Sequence, residues 1–200
     1  MNRIVTISRE FGSGGRELGK RLAEALHIPC YDHEIIEMIA KENGFNEDYV
    51  AHMSEKSIEA AYPLTIGHRF GVPPFQIIDQ PIRVAVAQRQ ILENFAKSGD
   101  CVIVGRGADY ILRDFPNVIN VFVYAEKEDK IQYAIDTFGD TPEQAARRVR
   151  QSDTARESYY HYLTKGKWGD LRHYHLTLNS SPIGKEACAD LIIEYAAKRK

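Results

Sequence analysis

The sequence predicts an α/β fold built on a doubly wound, mostly parallel five-stranded sheet. Three observations carry that prediction. Apolar β-type runs alternate with helix-period segments along the whole chain. The runs are apolar nearly throughout, as strands covered on both faces are. The first of them breaks at Gly12-Ser13-Gly14-Gly15 and resumes as a helix, the strand, loop, helix order that cradles an anion.

Taken in order, the run Ile4-Val5-Thr6-Ile7 places a strand over 3–8, and the pattern after the glycine cluster places a helix over 16–27. A short strand follows at 28–31, then helices over 33–43 and 46–54. Pro63, Gly67, Gly71, Pro73 and Pro74 mark 55–79 as a loop-rich insertion. A helix over 80–98 carries Val84, Ile91, Leu92 and Phe95 for packing, and Cys101-Val102-Ile103-Val104-Gly105 reads as a buried strand over 101–105. A strand over 118–125 and a helix over 126–136 continue the alternation. The stretch 141–172 is rich in Arg and Tyr, with a helix over 142–163, and a strand over 174–179 and a helix over 183–197 close the chain. Repeats, low-complexity tracts and sharp composition shifts are absent, so 1–200 is expected to form one domain.

Composition narrows the function classes. At 200 residues and 44% hydrophobic, the chain can bury a sizeable core. A net charge of −2 argues against a general nucleic-acid footprint, although a local basic patch is compatible with it. Cys30, Cys101 and Cys188 lack metal-ligand spacing and are expected as buried free thiols in a reducing compartment. No apolar run approaches the roughly 20 residues a membrane helix needs, so the expected location is the cytoplasm.

Ligands of such sheets bind beyond the carboxyl ends of the strands, where residues 12–15, Asp32, 105–109, Ser180 and Ser181 would gather. The glycine cluster departs from G-x-x-x-x-G-K-[ST]. With Gly15 as the final glycine, Arg16 takes the lysine place and Glu17 the hydroxyl place. Counted back from the helix, Gly15 takes the lysine place and Arg16 that of the hydroxyl. Both registers remain open, as does an ordinary glycine-rich turn. Within 141–172, Arg147, Arg148, Arg150 and Arg156 can project toward one side, with Asp153 three residues before Arg156 and able to orient it. Converging guanidiniums can neutralise a transferring phosphoryl group, while a solvated amphipathic helix with internal ion pairs is the plainer alternative. In Gly105-Arg106-Gly107, a strand end brings one guanidinium to the mouth of the sheet, either for an acceptor phosphate or for an ion pair with Asp109.

These motifs together, with Thr164-Lys165-Gly166-Lys167-Trp168-Gly169-Asp170 after the Arg-x-x-Asp-x-x-Arg-x-x-Tyr-Tyr helix, resemble the cytidylate kinase-like family across essentially the whole chain. The resemblance implies a P-loop NTPase-type core, a helical insertion over 33–80 on the acceptor side, and an arginine-rich lid over 141–172. It implies ATP and Mg2+ as cofactors and transfer of the γ-phosphoryl to a nucleoside monophosphate or similar small phosphorylated acceptor. By residue, it implies donor-phosphate binding by Gly12, Ser13, Gly14 and Gly15; in the register that ends on Gly15, Arg16 would partly replace the lysine as a fixed cation at the donor phosphates and Glu17 could hold magnesium directly or through water. Acceptor binding falls to Asp32, Arg106 and Asp153, and charge neutralisation during transfer to Arg16, Arg106, Arg150 and Arg156; Arg83, on the 80–98 helix, could face the acceptor site or form a surface or interdomain ion pair. The chain departs from the family pattern where Gly107 replaces an aspartate, where His33 and Glu34 replace Thr-Gly, and in the missing lysine and hydroxyl of the loop. A nucleotide or anion binder without catalysis, and an interaction protein using the arginine-rich face, are the alternative functions. A homodimer is left open.

Of the remaining candidates, His173 and His175 share a strand face without a third ligand nearby. Trp168 reads as a lid anchor or a stacking platform, and Ser180 and Ser181 as helix caps or neighbours of the adenine.

Overall fold

The chain begins in β1 (Ile4–Arg9), whose six residues are all buried, as the apolar run requires of a central strand. The computed structural model describes the backbone of residues 3–55 and 74–199 and the side chains of 3–51 and 82–199. After β1 come α1 (Gly15–Leu26), β2 (Cys30–Tyr31), α2 (Glu34–Asn43), α3 (Glu47–Glu55), α4 (Pro74–Ser98), β3 (Cys101–Val104) and the one-turn α5 (Ala108–Ile111). Then follow β4 (Val118–Tyr124), α6 (Lys127–Phe138), α7 (Pro142–Thr164), a 3-10 turn (Leu171–His173), β5 (Leu176–Asn179) and α8 (Ser180–Lys198). The described strands form one parallel sheet in the order β2-β3-β1-β4-β5. The chain therefore reverses its winding at β1, which puts a crevice at the end of that strand.

Each face of the sheet has its own core. Ile4, Cys101, Ile103 and Val118 pack with Ile35, Ile36 and Ile39 of α2 and Val84, Ile91 and Leu92 of α4. Val5, Ile7, Val102, Val104, Val121 and Val123 pack with Leu18 and Leu22 of α1 and Cys188 and Ile192 of α8. Helix α1 lies so close to the sheet that a Cβ on Gly19 would sit 2.7 Å from Val104 Cγ2. This approach fixes where the first turn of α1 sits above the strand ends.

Several boundaries differ from the sequence reading, and β2 starts at Cys30 rather than 28. Helix α4 starts at Pro74, so 74–79 are helical rather than loop, with proline suiting the first turn. The rest of the expected insertion, 56–73, lies outside the described residues. Strand β5 starts at Leu176 because Asp170 caps the 3-10 turn through Arg172 N at 3.1 Å. Helix α8 starts at Ser180, where Asn179 Oδ1 accepts from Ser181 N at 3.1 Å, but Gly184 (φ 76°, ψ 168°) interrupts it. Among the described residues, no helix is long and apolar enough to cross a membrane.

Candidate functional site

At the end of β1, Glu10 N donates to Val123 O at 2.9 Å, and the chain then turns through Gly12 (φ 72°) and Gly14 (φ 77°), backbone that favours glycine. Helix α1 begins at Gly15 with Gly14 as its N-cap and no side-chain cap. Among the described residues, no acceptor meets the Gly15, Arg16 and Glu17 amides. The helix start agrees with the register counted back from the helix. Gly14 is the final glycine, Gly15 takes the lysine place, and Arg16 takes the hydroxyl place. Arg16, expected at the lysine place, is 55% exposed and its Nε pairs with Asp32 Oδ2.

A cation that the sequence reading missed lies on this loop. A Cβ on Gly14 would collide with the Lys185 stem, whose Nζ is 3.7 Å from Glu17 Oε1. Ser180 Oγ donates to Ser13 O at 2.8 Å and binds the first turn of α8 to the loop. A groove lined by Gly12, Ser13, Tyr133, Ser181, Gly184 and Lys185 runs away from it along α6 and α8.

On the other side of the loop, a cavity of about 30 Å³ brings together three arginines from distant parts of the chain: Arg9 of β1, Arg106 after β3 and Arg156 of α7. Gly105, Arg106 and Gly107 are successive left-handed residues (φ 76°, 59° and 62°), a bend directly after β3. Arg106 is 4% exposed. Gln88 Nε2 holds its carbonyl at 2.8 Å and also donates to Tyr159 Oη at 2.6 Å. Arg156 Nη1 donates to Arg9 O at 3.0 Å, and Trp168 lines the cavity and packs edge-to-face with Phe122, their ring centres 5.3 Å apart.

The arginine-rich helix is seated on this site by polar contacts. Asp153 does not orient Arg156: its Oδ1 accepts from Phe11 N in the glycine loop at 2.7 Å, and its Oδ2 meets Lys130 Nζ at 3.0 Å. Lys130 also pairs with Glu10 at 2.7 Å. Burial alone would lower the Lys130 pKa, but its hydrogen bonds to Glu10 and Asp153 outweigh that and raise it. Asp109 pairs not with Arg106 but with Tyr160, whose hydroxyl donates to Oδ2 at 2.9 Å, and with Ser8 Oγ at 3.3 Å. Its burial pushes the carboxyl pKa up.

Several expected residues are not brought to the cavity. Arg147 and Arg150 are exposed on α7, and Arg148 pairs with Asp140 and lies 4.4 Å from the centre of the Phe138 ring. Arg83 is exposed, 5.2 Å over the Phe45 ring. His175 accepts from Asn120 N at 2.9 Å, with burial lowering its pKa, while His173 lies in the exposed 3-10 turn. Burial pushes the Cys30 thiol up to about 11 and the Cys101 thiol up to about 12, which leaves both unreactive, although Cys30 is only partly buried rather than buried as expected.

The residues at the loop do not fit a protein-held magnesium. The hydroxyl place carries the Arg16 guanidinium paired with Asp32, and Glu17 faces Lys185. Among the described residues, no three His, Cys, Asp or Glu side chains converge as a metal site.

Gly107 has a steric explanation. A Cβ there would collide with Leu163 of α7, on backbone already left-handed. Gly107→Asp is therefore expected to destabilise by about 1–2 kcal/mol through displacement of Leu163 and backbone strain, and to speed hydrogen exchange across 142–164. Urea unfolding and exchange measurements check this, and unchanged protection of α7 would count against the close packing.

Comparison with known proteins gives the same frame. A family model described as the cytidylate kinase-like family matches residues 4–182. A crystal structure of an uncharacterized protein from Eubacterium ventriosum ATCC 27560 superposes with a TM-score of 0.75 at 27% identity, over 98% of this chain and 99% of that one. Shikimate kinase from Bacteroides thetaiotaomicron matches with a TM-score of 0.57 at 12% identity, over 98% and 99% of the two chains. A gluconokinase from Sinorhizobium meliloti 1021 matches with a TM-score of 0.56 at 14% identity, over 98% and 93%. The last two show a shared P-loop kinase fold. Among curated proteins, none matches the sequence.

Proposed function

The chain belongs to the cytidylate kinase-like family, and from that premise we propose that it is a nucleotide-binding kinase that transfers the γ-phosphoryl of ATP to a nucleoside monophosphate or similar small phosphorylated acceptor. The observation that carries this reading is the convergence of Arg9, Arg106 and Arg156 on one cavity beside the glycine loop. Donor phosphates would lie against the amides of Gly15, Arg16 and Glu17, with Lys185 alongside and the nucleoside running into the groove by Ser181. The acceptor phosphate would approach from the Arg106 side. A deprotonated acceptor oxygen attacks the γ-phosphorus in line, the bond to the β,γ-bridging oxygen breaks, and ADP leaves with the electron pair. Such a step asks the protein for positioning and charge neutralisation rather than a general base. Three guanidiniums lining one cavity are suited to charge spread over the equatorial oxygens.

One observation favours a second reading, nucleotide binding without transfer: the lysine place is a glycine, and Arg16 is turned to Asp32. A panel of nucleoside di- and triphosphates in thermal unfolding, followed by an ATP-to-monophosphate transfer assay, separates the readings. A ligand at 100 times its dissociation constant stabilises by about 2.7 kcal/mol. Stabilisation together with turnover is the expected result. Stabilisation without turnover for any acceptor would support the second reading, and no stabilisation by any nucleotide would overturn both.

A further inference from the structure

We propose that Arg9 carries the positive charge that a P-loop lysine would carry, delivered to the donor's terminal phosphate from the end of β1 instead of the first turn of α1. This deepens the nucleotide-binding reading and rests on it.

In the register set by the start of α1, the motif G-x-x-x-x-G-K-[ST] runs from position 9 to position 16. The chain has arginine where the motif has its first glycine, and glycine where the motif has lysine. The two changes are sterically one. A Cβ on Gly15 would sit 2.5 Å from Arg9 Cβ, so any side chain at the lysine place displaces the arginine. The other end of Arg9 is accommodated in the same way, since a Cβ on Gly105 would collide with the guanidinium. Arg9 thus runs from beneath the first turn of α1 to the end of β3, in a channel left by two glycines.

Its position matches the role. Arg9 is 9% exposed, and it lines the same cavity as Arg106 and Arg156. Its Nη2 lies 3.8 Å from Asp32 Oδ1, and Asp32 also holds Arg16. The Arg9 side chain therefore reaches from the first turn of α1 to the cavity it shares with Arg106, the side from which an acceptor would approach the terminal phosphate of a bound triphosphate. A guanidinium held out of water interacts more strongly with phosphate oxygens than one on the surface, and its planar fork can bind two of them.

Isothermal titration of ATP and ADP against wild type, Arg9→Gln and the exchange variant Arg9→Gly/Gly15→Lys tests this, with thermal unfolding of each protein as the control for folding. Arg9→Gln is expected to weaken ATP binding about 10–100-fold, the size of a charge-assisted hydrogen bond, and ADP binding by much less. The exchange variant is expected to recover most of the preference for ATP. Equal affinity of wild type and Arg9→Gln for ATP would make Arg9 a structural filler and overturn the proposal while leaving the nucleotide site intact. Equal losses for ATP and ADP would also overturn it. If Arg9→Gln fails to fold, the exchange variant decides, and a folded exchange variant without preference for ATP over ADP overturns the proposal. If wild type binds neither nucleotide, the proposal and the reading beneath it both fall.

Discussion

Asp109→Ala is expected to lower the stability of the fold by about 3 kcal/mol, whereas Asp109→Asn should leave it unchanged or raise it near neutral pH. Asp109 is 3% exposed and accepts from two hydroxyls, Tyr160 of α7 at 2.9 Å and Ser8 of β1 at 3.3 Å. Alanine leaves both hydroxyls buried without this acceptor and loosens α7 from the strand. Asparagine keeps the volume and an accepting oxygen while shedding the charge. The pH dependence follows from the raised pKa of Asp109, which burial causes. A carboxyl whose folded pKa lies above its ordinary value of 3.8 adds stability that is full below that value. That stability is lost as pH rises through the folded pKa. The advantage of asparagine over aspartate should therefore grow toward alkaline pH and vanish in acid. Urea unfolding of the three proteins at pH 5 and pH 8 checks this, and an asparagine variant as unstable as the alanine one at both would show that the charge itself is needed.

How much of this was legible in the sequence depended on the range of the interactions. The strands could be read because β1, β3 and β4 are buried along nearly their whole length, and continuous apolar runs record that directly. The start of α4 could not, since proline and glycine mark loops and first helical turns alike. The register of the glycine loop was undetermined for a related reason: both readings satisfy the spacing, and the left-handed Gly14 cap before α1 is a feature of the folded backbone. Asp153 looked like a local partner for Arg156, because three-residue spacing on a helix allows it. The unpaired amide of Phe11, 142 positions away, competes for the same carboxylate and wins. Lys185 meets Gly14 and Arg9 passes Gly105 through contacts of similar range, so no local pattern announces either. Arg106 was visible because the glycines that bend its backbone are its immediate neighbours.

Arg106→Ala should produce the largest functional effect of any single change, a fall of about 10²–10³-fold in kcat/KM for phosphoryl transfer with the best acceptor found. Its guanidinium is buried among groups drawn from β1, α4 and α7, and its backbone is held by Gln88 on one side and by the Gly105–Ile7 hydrogen bond of 2.9 Å on the other. A cation fixed in this way costs no reorganisation when charge develops on the transferring group. Arg106→Lys should restore little, because an ammonium offers a point charge where two phosphate oxygens would meet a planar fork. Arg113, which is exposed and stacked on Tyr110 at 4.1 Å, serves as the control, and Arg113→Ala should leave kcat/KM within about threefold. Steady-state transfer from ATP, with thermal unfolding run on each variant, makes the comparison. A folded Arg106→Ala protein that transfers as fast as wild type would place the reaction outside this cavity, and the guanidiniums gathered there would then hold α7 to the core rather than neutralise a phosphoryl group.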